Sequence, residues 1–265
     1  MAKKANRYEQ LIESVFLSGY KRGSQEVPFT KTQFEDFAKN LDITLPKNVP
    51  DVIYSFRYRN DFPAPIVATA AKGKEWIIRG KGKGKYSFCH VKHISFKPTE
   101  TFAETKIPDA TPGIIARYAL DDEQALLAKV RFNRLIDIFT GLTCYSLQNH
   151  LRTSVENLGQ VETDEIYVGL DKRGVHYIIP VQAKGGKDRL GRVQIEQDFA
   201  LCAEKFPNMI CKSVAAQFLS DGVIVLFEME FDGNEMAVVA EKHYRLVDSD
   251  QLSVDELRTY SERLN

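Results

Sequence analysis

The residues best suited to chemistry lie on two neighbouring runs of strand-like sequence. Glu162 and Asp164 are two residues apart in the first run, so they share one side of a strand. Gln182 and Lys184 share one side of the second run in the same way. If the two runs form a hairpin, two acids, one amide and one lysine converge on a single polar patch.

The segment between the runs predicts how they pair. Lys172-Arg173-Gly174 fits a three-residue hairpin loop, with glycine where a left-handed backbone is needed. Asp171 then pairs with Val175. The register that follows places the aspartate opposite the glutamine and the glutamate opposite the lysine, with opposed Cβ atoms roughly 5 Å apart. Pro180 cannot donate to a β-ladder, so it predicts an edge or a bulge that would shift this register.

These residue types predict a divalent-metal site that hydrolyses a phosphodiester. Mg²⁺ prefers oxygen ligands, and Asp164 is the expected principal ligand. The Gln182 side-chain oxygen or the Ala183 carbonyl would supply another. Lys184 would orient the attacking water or stabilise the charge of the transition state. Glu162 would bind a second metal or balance Lys184.

The structural alternative is a cross-strand ion pair on a solvated hairpin, which is common and worth little energy. Three features favour a site instead. The flanking strands are apolar, a glutamine shares the polar side with the acid and the lysine, and Gly185-Gly186 lets a backbone pass closely.

The composition excludes several classes of protein. The 265 residues carry 36 basic and 36 acidic side chains, so a nucleic-acid partner would need local basic patches. Four cysteines make no disulfide framework and predict reduced thiols in a cytoplasmic protein. No apolar run reaches the ~20 residues that span a bilayer, and no small-molecule cofactor fingerprint is found.

The N-terminal region predicts a winged helix-turn-helix domain. Helices are expected over 7–20, 31–41 and 49–59, followed by a hairpin of strands 75–79 and 86–91. The third helix would enter the major groove with Arg57, Tyr58 and Arg59. The Lys/Gly-rich hairpin tip would be a wing that follows phosphates through Lys81, Lys83 and Lys85. The alternative is a small α+β domain with a solvated lysine loop.

The rest of the chain predicts a linker and a mixed α/β region. Residues 96–120 contain prolines and little periodicity and are expected to be a linker, and a helix follows over 121–140. His150 and Arg152 share one face of the next segment and are candidate DNA contacts, with a solvated loop as the alternative. Lys187 and Arg189 are candidate contacts to the DNA backbone, with a polar helix start as the alternative. A helix near 190–205, three strands and a C-terminal helix complete the pattern.

The spacing of these motifs resembles the PD-(D/E)XK nuclease superfamily, in particular type II restriction endonucleases with an N-terminal DNA-reading domain. Asp164 matches the first acid of that motif and Lys184 its lysine, whereas Gln182 stands where Asp or Glu is usual. The resemblance implies a mixed β-sheet core flanked by helices.

The expected domains are a winged-helix-like DNA-binding domain over 1–95 and a nuclease domain over 121–265. The expected function is Mg²⁺-dependent, site-specific cleavage of double-stranded DNA by a homodimer, because cutting both strands needs two sites. Two alternatives stay open: a DNA-binding protein whose nuclease core is inactive, and a structure-selective repair or recombination nuclease.

Overall fold

Two β-sheets with helices packed on them form the part of the chain that the computed structural model describes, residues 6–119, 123–185, 188, 190–233 and 235–263. The chain is a mixed α/β protein with a large mixed sheet, as the sequence predicts. No helix within the described ranges is long and apolar enough to cross a membrane.

The N-terminal elements are α1 (Arg7–Gly19), β1 (Glu26–Thr30), α2 (Lys31–Asn40), α3 (Pro50–Tyr58), α4 (Ala64–Val67), β2 (Lys74–Gly80) and β3 (Lys85–Lys92). The three expected helices and the hairpin are present, and a capping box of Thr30 and Gln33 opens α2. Strand β1 was not expected from the sequence, and it joins the hairpin to give a sheet of order β1-β3-β2.

The remaining elements are β4 (Glu104–Pro108), α5 (Gly113–Tyr118), α6 (Glu123–Phe132), α7 (Leu135–Thr140), β5 (Thr143–Val155), β6 (Gly159–Leu170), β7 (His176–Gly185), α8 (Arg192–Lys205), β8 (Ile210–Cys211), β9 (Ser213–Phe218), β10 (Val223–Phe231), β11 (Met236–Val247) and α9 (Val254–Glu262). The large sheet has the order β4-β11-β10-β9-β7-β6-β5, with β8 beside β7. The segment predicted as a linker therefore contributes β4, which runs parallel to β11 at one edge.

The helix predicted over 121–140 is two helices in the structure. Asn133 and Arg134 separate α6 from α7, and Arg134 has a left-handed backbone with φ of 50°. The predicted cap Asp121 lies outside the described residues. Leu127 and Ile136 are buried against the sheet as expected, because the break keeps both apolar faces directed at the same surface.

The hairpin of β6 and β7 forms in the predicted register. Leu170 pairs with His176 and Glu165 with Val181, and Gly174 in the loop has a φ of +80°. Pro180 did not shift the pairing with β6. It lies where the parallel neighbour of β7 changes from β8 to β9, so its missing N–H interrupts the ladder on that side.

The two faces of the large sheet pack on different helices. On β7, Ile179 and Val181 face the cluster of α6 and α7, as the alternation predicts. Ile178 faces the opposite cluster, which contains Leu201 and Cys202 of α8. Ile178 and Gln182 of β7 therefore point toward α8.

Replacing Leu127 with alanine should lower the free energy of unfolding by about 2–5 kcal/mol, because the leucine is completely buried between α6 and the sheet. Urea denaturation followed by circular dichroism measures the change. Leu257→Ala is the control, since that leucine is 54% exposed, and its effect should stay within ~0.5 kcal/mol. Equal effects of both variants would contradict the packing.

Candidate functional site

The candidate site lies where the backbone ladder between β6 and β7 ends. Beyond the pair of Glu165 and Val181, side chains of β6 and β7 bond to the backbone of the opposite strand. The Thr163 hydroxyl donates to the Val181 carbonyl at 3.3 Å. The Ala183 N–H donates to Asp164 Oδ2 at 2.8 Å. The predicted pair of Asp164 and Gln182 is therefore not part of the ladder, and the strands open at this point.

Asp164 is held at the opening in a partly desolvated position. Burial raises the pKa of its carboxyl above the ordinary value, while the Ala183 N–H and the charge of Lys184 oppose that rise. The N–H and C=O of one strand residue point to the same neighbour. The Ala183 carbonyl therefore also faces the opening beside Asp164.

Gln182 is buried and points toward α8. Its Nε2 donates to the Glu162 carbonyl at 3.1 Å and to Asp198 Oδ1 and Oδ2 at 3.0 and 3.1 Å. Asp198 is itself buried in the middle of α8. Burial raises its pKa well above the ordinary value, the Gln182 amide lowers it, and the nearby Asp164 raises it further.

Lys184 forms an ion pair with an acid that the sequence analysis did not select. Its Nζ lies 3.2 Å from Glu123 Oε1 of α6, and its side chain is only 16% exposed. The predicted opposition of Glu162 and Lys184 is not formed, because β6 and β7 have separated before this point. Glu123 replaces Glu162 as the counter-charge of the lysine.

Glu162 instead pairs with the edge strand β5. Arg152 donates to Glu162 Oε2 at 3.0 Å from Nε and 2.7 Å from Nη2. His150 Nε2 lies 2.9 Å from the other oxygen, Oε1. His150 has a φ of 51°, a left-handed conformation that is uncommon for residues other than glycine. The two residues expected to contact DNA therefore bind an acid of the site itself.

A large cleft joins these residues to the N-terminal region. It has a volume of about 1490 Å³. Asp164, Gln182 and Lys184 line one part of it, and Tyr54 and Arg59 of the N-terminal region line another. A ligand that reaches the carboxylate of Asp164 therefore also approaches the end of α3.

The residues expected to read DNA have different surroundings. Arg57 donates from Nε to the Ile78 carbonyl at 3.1 Å, and the Tyr58 hydroxyl donates to Gln197 Oε1 at 3.1 Å, so both are held inside the fold. Arg59 is exposed at the cleft. The lysines at the tip of the β2–β3 hairpin, Lys81, Lys83 and Lys85, are exposed, and Lys81 pairs with Glu26 at 3.0 Å. Lys187 and Arg189 lie outside the described residues.

Helix α8 connects the N-terminal sheet to the site. Arg79 of β2 donates to both oxygens of Glu196, at 2.7 and 2.6 Å. Arg192 donates from Nε to Glu196 Oε1 at 2.8 Å and from Nη1 to the Lys92 carbonyl at 2.8 Å. Val193 packs against β2 and β3. The helix that carries Asp198 toward Gln182 thus carries Glu196 toward the N-terminal sheet.

The donor set suits a hard cation that keeps several waters. Within the described ranges, no group of three or more His, Cys, Asp or Glu side chains is arranged to hold a metal ion. Mg²⁺ needs only one or two carboxylates in addition to waters and other oxygens. Asp164, the amide of Gln182 and the carbonyl of Ala183 offer such oxygens where the two strands part, so the residues present fit this cation.

No family model, curated protein or solved structure matches this chain. The candidate site is therefore defined by its own geometry.

Two acids of the site, Asp198 and Glu123, are not among the candidate residues selected from the sequence. Asp198 had a usable signal, because it interrupts the buried stripe of Ile195 and Cys202 on α8, where an acid needs a partner. Glu123 had none, since an acid in the first turn of a helix is ordinary. Its contact with Lys184 joins residues 61 positions apart.

The ion pair of Arg79 and Glu196 should show a coupling of about 1–3 kcal/mol in a double-mutant cycle with alanine, because both side chains are largely buried and the contact is bidentate. Urea denaturation of the two single variants and the double variant measures it. The exposed pair of Asp36 and Lys39, 4.0 Å apart, is the control and should couple by less than ~0.5 kcal/mol. A coupling of less than ~0.5 kcal/mol between Arg79 and Glu196 would contradict a stabilising contact between β2 and α8.

Proposed function

We propose that this protein is a Mg²⁺-dependent endonuclease that hydrolyses double-stranded DNA at a specific sequence, in the manner of type II restriction enzymes of the PD-(D/E)XK superfamily. The observation that carries the proposal is the placement of Asp164 and Lys184 around the backbone of Ala183. The carboxylate accepts the Ala183 N–H, and the lysine is the next residue along the strand. Acid, carbonyl and ammonium thus meet at one opening in a cleft.

The cation would be held by Asp164, the Gln182 side-chain oxygen and the Ala183 carbonyl. When bound, Mg²⁺ supplies a Lewis acid for the scissile phosphate and lowers the pKa of a coordinated water. Lys184 offers a positive charge to the phosphate oxygens as negative charge develops on them. Glu123 keeps the ammonium of Lys184 directed into the cleft before DNA binds.

The N-terminal region would grip the duplex beside the site. In this proposal it is a winged-helix-like domain, with the Lys81, Lys83 and Lys85 tip following phosphates. The docking of β2 on α8 supports a role for this region next to the cleft, because it places Arg59 on the same cleft as Asp164. Two copies of the chain would be needed to cut both strands.

One observation favours a DNA-binding protein with an inactive core as a second candidate. Gln182 brings no charge to the site, and its amide N–H groups are already bonded to Glu162 and Asp198. A neutral amide is a weaker metal ligand than a carboxylate. In that case the cleft would bind DNA without cutting it.

Digestion of a panel of plasmid and phage DNA with Mg²⁺ separates the candidates. Fixed fragments that require Mg²⁺ and disappear with EDTA are the expected result. Cleavage confined to junctions or flaps would support a structure-selective nuclease instead. Binding in a mobility-shift assay without cleavage would support the inactive core.

Lys184→Ala should abolish cleavage and leave DNA binding largely intact, because the variant removes a charge used mainly in the transition state. The matched control is Lys172→Ala in the exposed loop of the same hairpin, which should cleave at the wild-type rate. Single-turnover cleavage and a mobility-shift titration measure the two properties. Parallel loss of binding and cleavage in Lys184→Ala would argue against a catalytic role.

A further inference from the structure

The orientation of the Gln182 amide is determined by its surroundings. The Glu162 backbone carbonyl can only accept a hydrogen bond, and it lies 3.1 Å from one end of the amide. That end must therefore be the NH₂ group. The same NH₂ group faces both oxygens of Asp198, at 3.0 and 3.1 Å, so both of its hydrogens have acceptors. Oε1 is therefore the polar atom of Gln182 that is available to a ligand in the cleft.

Asp198 is placed to act on that amide. It is 1% exposed and lies on the face of α8 that packs against the sheet. Both of its oxygens accept from the same NH₂ group, which is the pattern of an ionised carboxylate, and these hydrogen bonds oppose the rise in its pKa that burial causes. A hydrogen bond from an amide N–H to a carboxylate polarises the amide, which increases the negative charge on its oxygen. Oε1 of Gln182 is therefore a stronger oxygen donor than that of a solvated glutamine.

We propose that Asp198 is a positioning residue that, through Gln182, supplies the negative charge which an acidic residue at position 182 would bring to the metal site. This inference rests on the proposed function, because it assigns a role toward the Mg²⁺ of that site. In this arrangement the negative charge lies on Asp198 of α8, one hydrogen bond away from the proposed metal ligand Gln182 on β7.

The residue types at positions 182 and 198 also depend on each other. A glutamate at position 182 would place a second carboxylate about 3 Å from Asp198 in a buried position, which is unfavourable unless one of them binds a proton. With Asp198 present, an amide at position 182 avoids the repulsion between two buried carboxylates. With Gln182 present, Asp198 restores the charge that the amide lacks.

A purely structural role for the pair makes a different prediction. Asp198 would then only satisfy the buried amide, and its replacement would lower stability without changing the affinity for a cation. Asp198→Asn and Gln182→Glu separate these roles, because together they exchange the charge between the two positions. In the double variant, the new amide on the helix can donate to the new carboxylate on the strand, so the hydrogen bond between the two positions is kept.

The experiment measures Mn²⁺ binding to the full chain without DNA, by isothermal titration calorimetry, together with thermal melts. Asp198→Asn should weaken Mn²⁺ binding by about 10–100-fold, the usual cost of losing a residue that supports a metal ligand. The double variant Gln182→Glu with Asp198→Asn should return to within about three-fold of the wild type. Glu204→Gln, at the exposed end of the same helix, is the control and should not change the affinity.

Wild-type affinity in Asp198→Asn overturns the inference, as does a double variant that binds Mn²⁺ no better than Asp198→Asn. If Asp198→Asn does not fold, the double variant decides the matter, and a ten-fold loss in it overturns the inference. Mn²⁺ binding that follows the expected pattern without any DNA cleavage overturns the proposed function alone. Absence of Mn²⁺ binding by the wild type overturns both.

Discussion

The site depends on side-chain hydrogen bonds that replace the β-ladder where β6 and β7 part. A buried backbone group left without a partner costs about 1–3 kcal/mol, so strands separate inside a protein only where other groups take over. Here the Thr163 hydroxyl donates to the Val181 carbonyl, and the Asp164 carboxylate accepts the Ala183 N–H. The Gln182 amide donates to the Glu162 carbonyl. The bonds that stabilise the opening are made by the side chains that line it.

Helix α8 packs behind this opening and joins it to the N-terminal region. Asp198 on one side of the helix meets Gln182, while Glu196 and Gln197 meet Arg79 and Tyr58 of the N-terminal region. A displacement of the N-terminal sheet would move the same helix that orients the amide. The cleft is therefore bounded by parts of the chain that contact one shared helix.

The charges of the site are arranged in local pairs. Glu162 is compensated by Arg152 and His150 on β5, and Lys184 by Glu123 on α6. Asp164 has a backbone N–H as its bonded partner and the Lys184 charge nearby. Such an arrangement leaves Asp164 better placed than Glu162 or Glu123 to accept a cation, because those two acids are neutralised by direct ion pairs.

The sequence by itself determined the three N-terminal helices and the hairpin of β6 and β7, but not β1, β4 or the break between α6 and α7. Alternation along β7 and the Gly174 loop are local signals, and they predicted the register from Leu170 back to Glu165 correctly. The tertiary structure alone decided where that register stops, because the separation of the strands depends on what α8 and β5 offer to Gln182 and Glu162. It also decided the partner of Lys184, since no local pattern links a strand to Glu123 at the start of a distant helix. Long-range pairing of charges follows from packing, and packing is not periodic in the sequence.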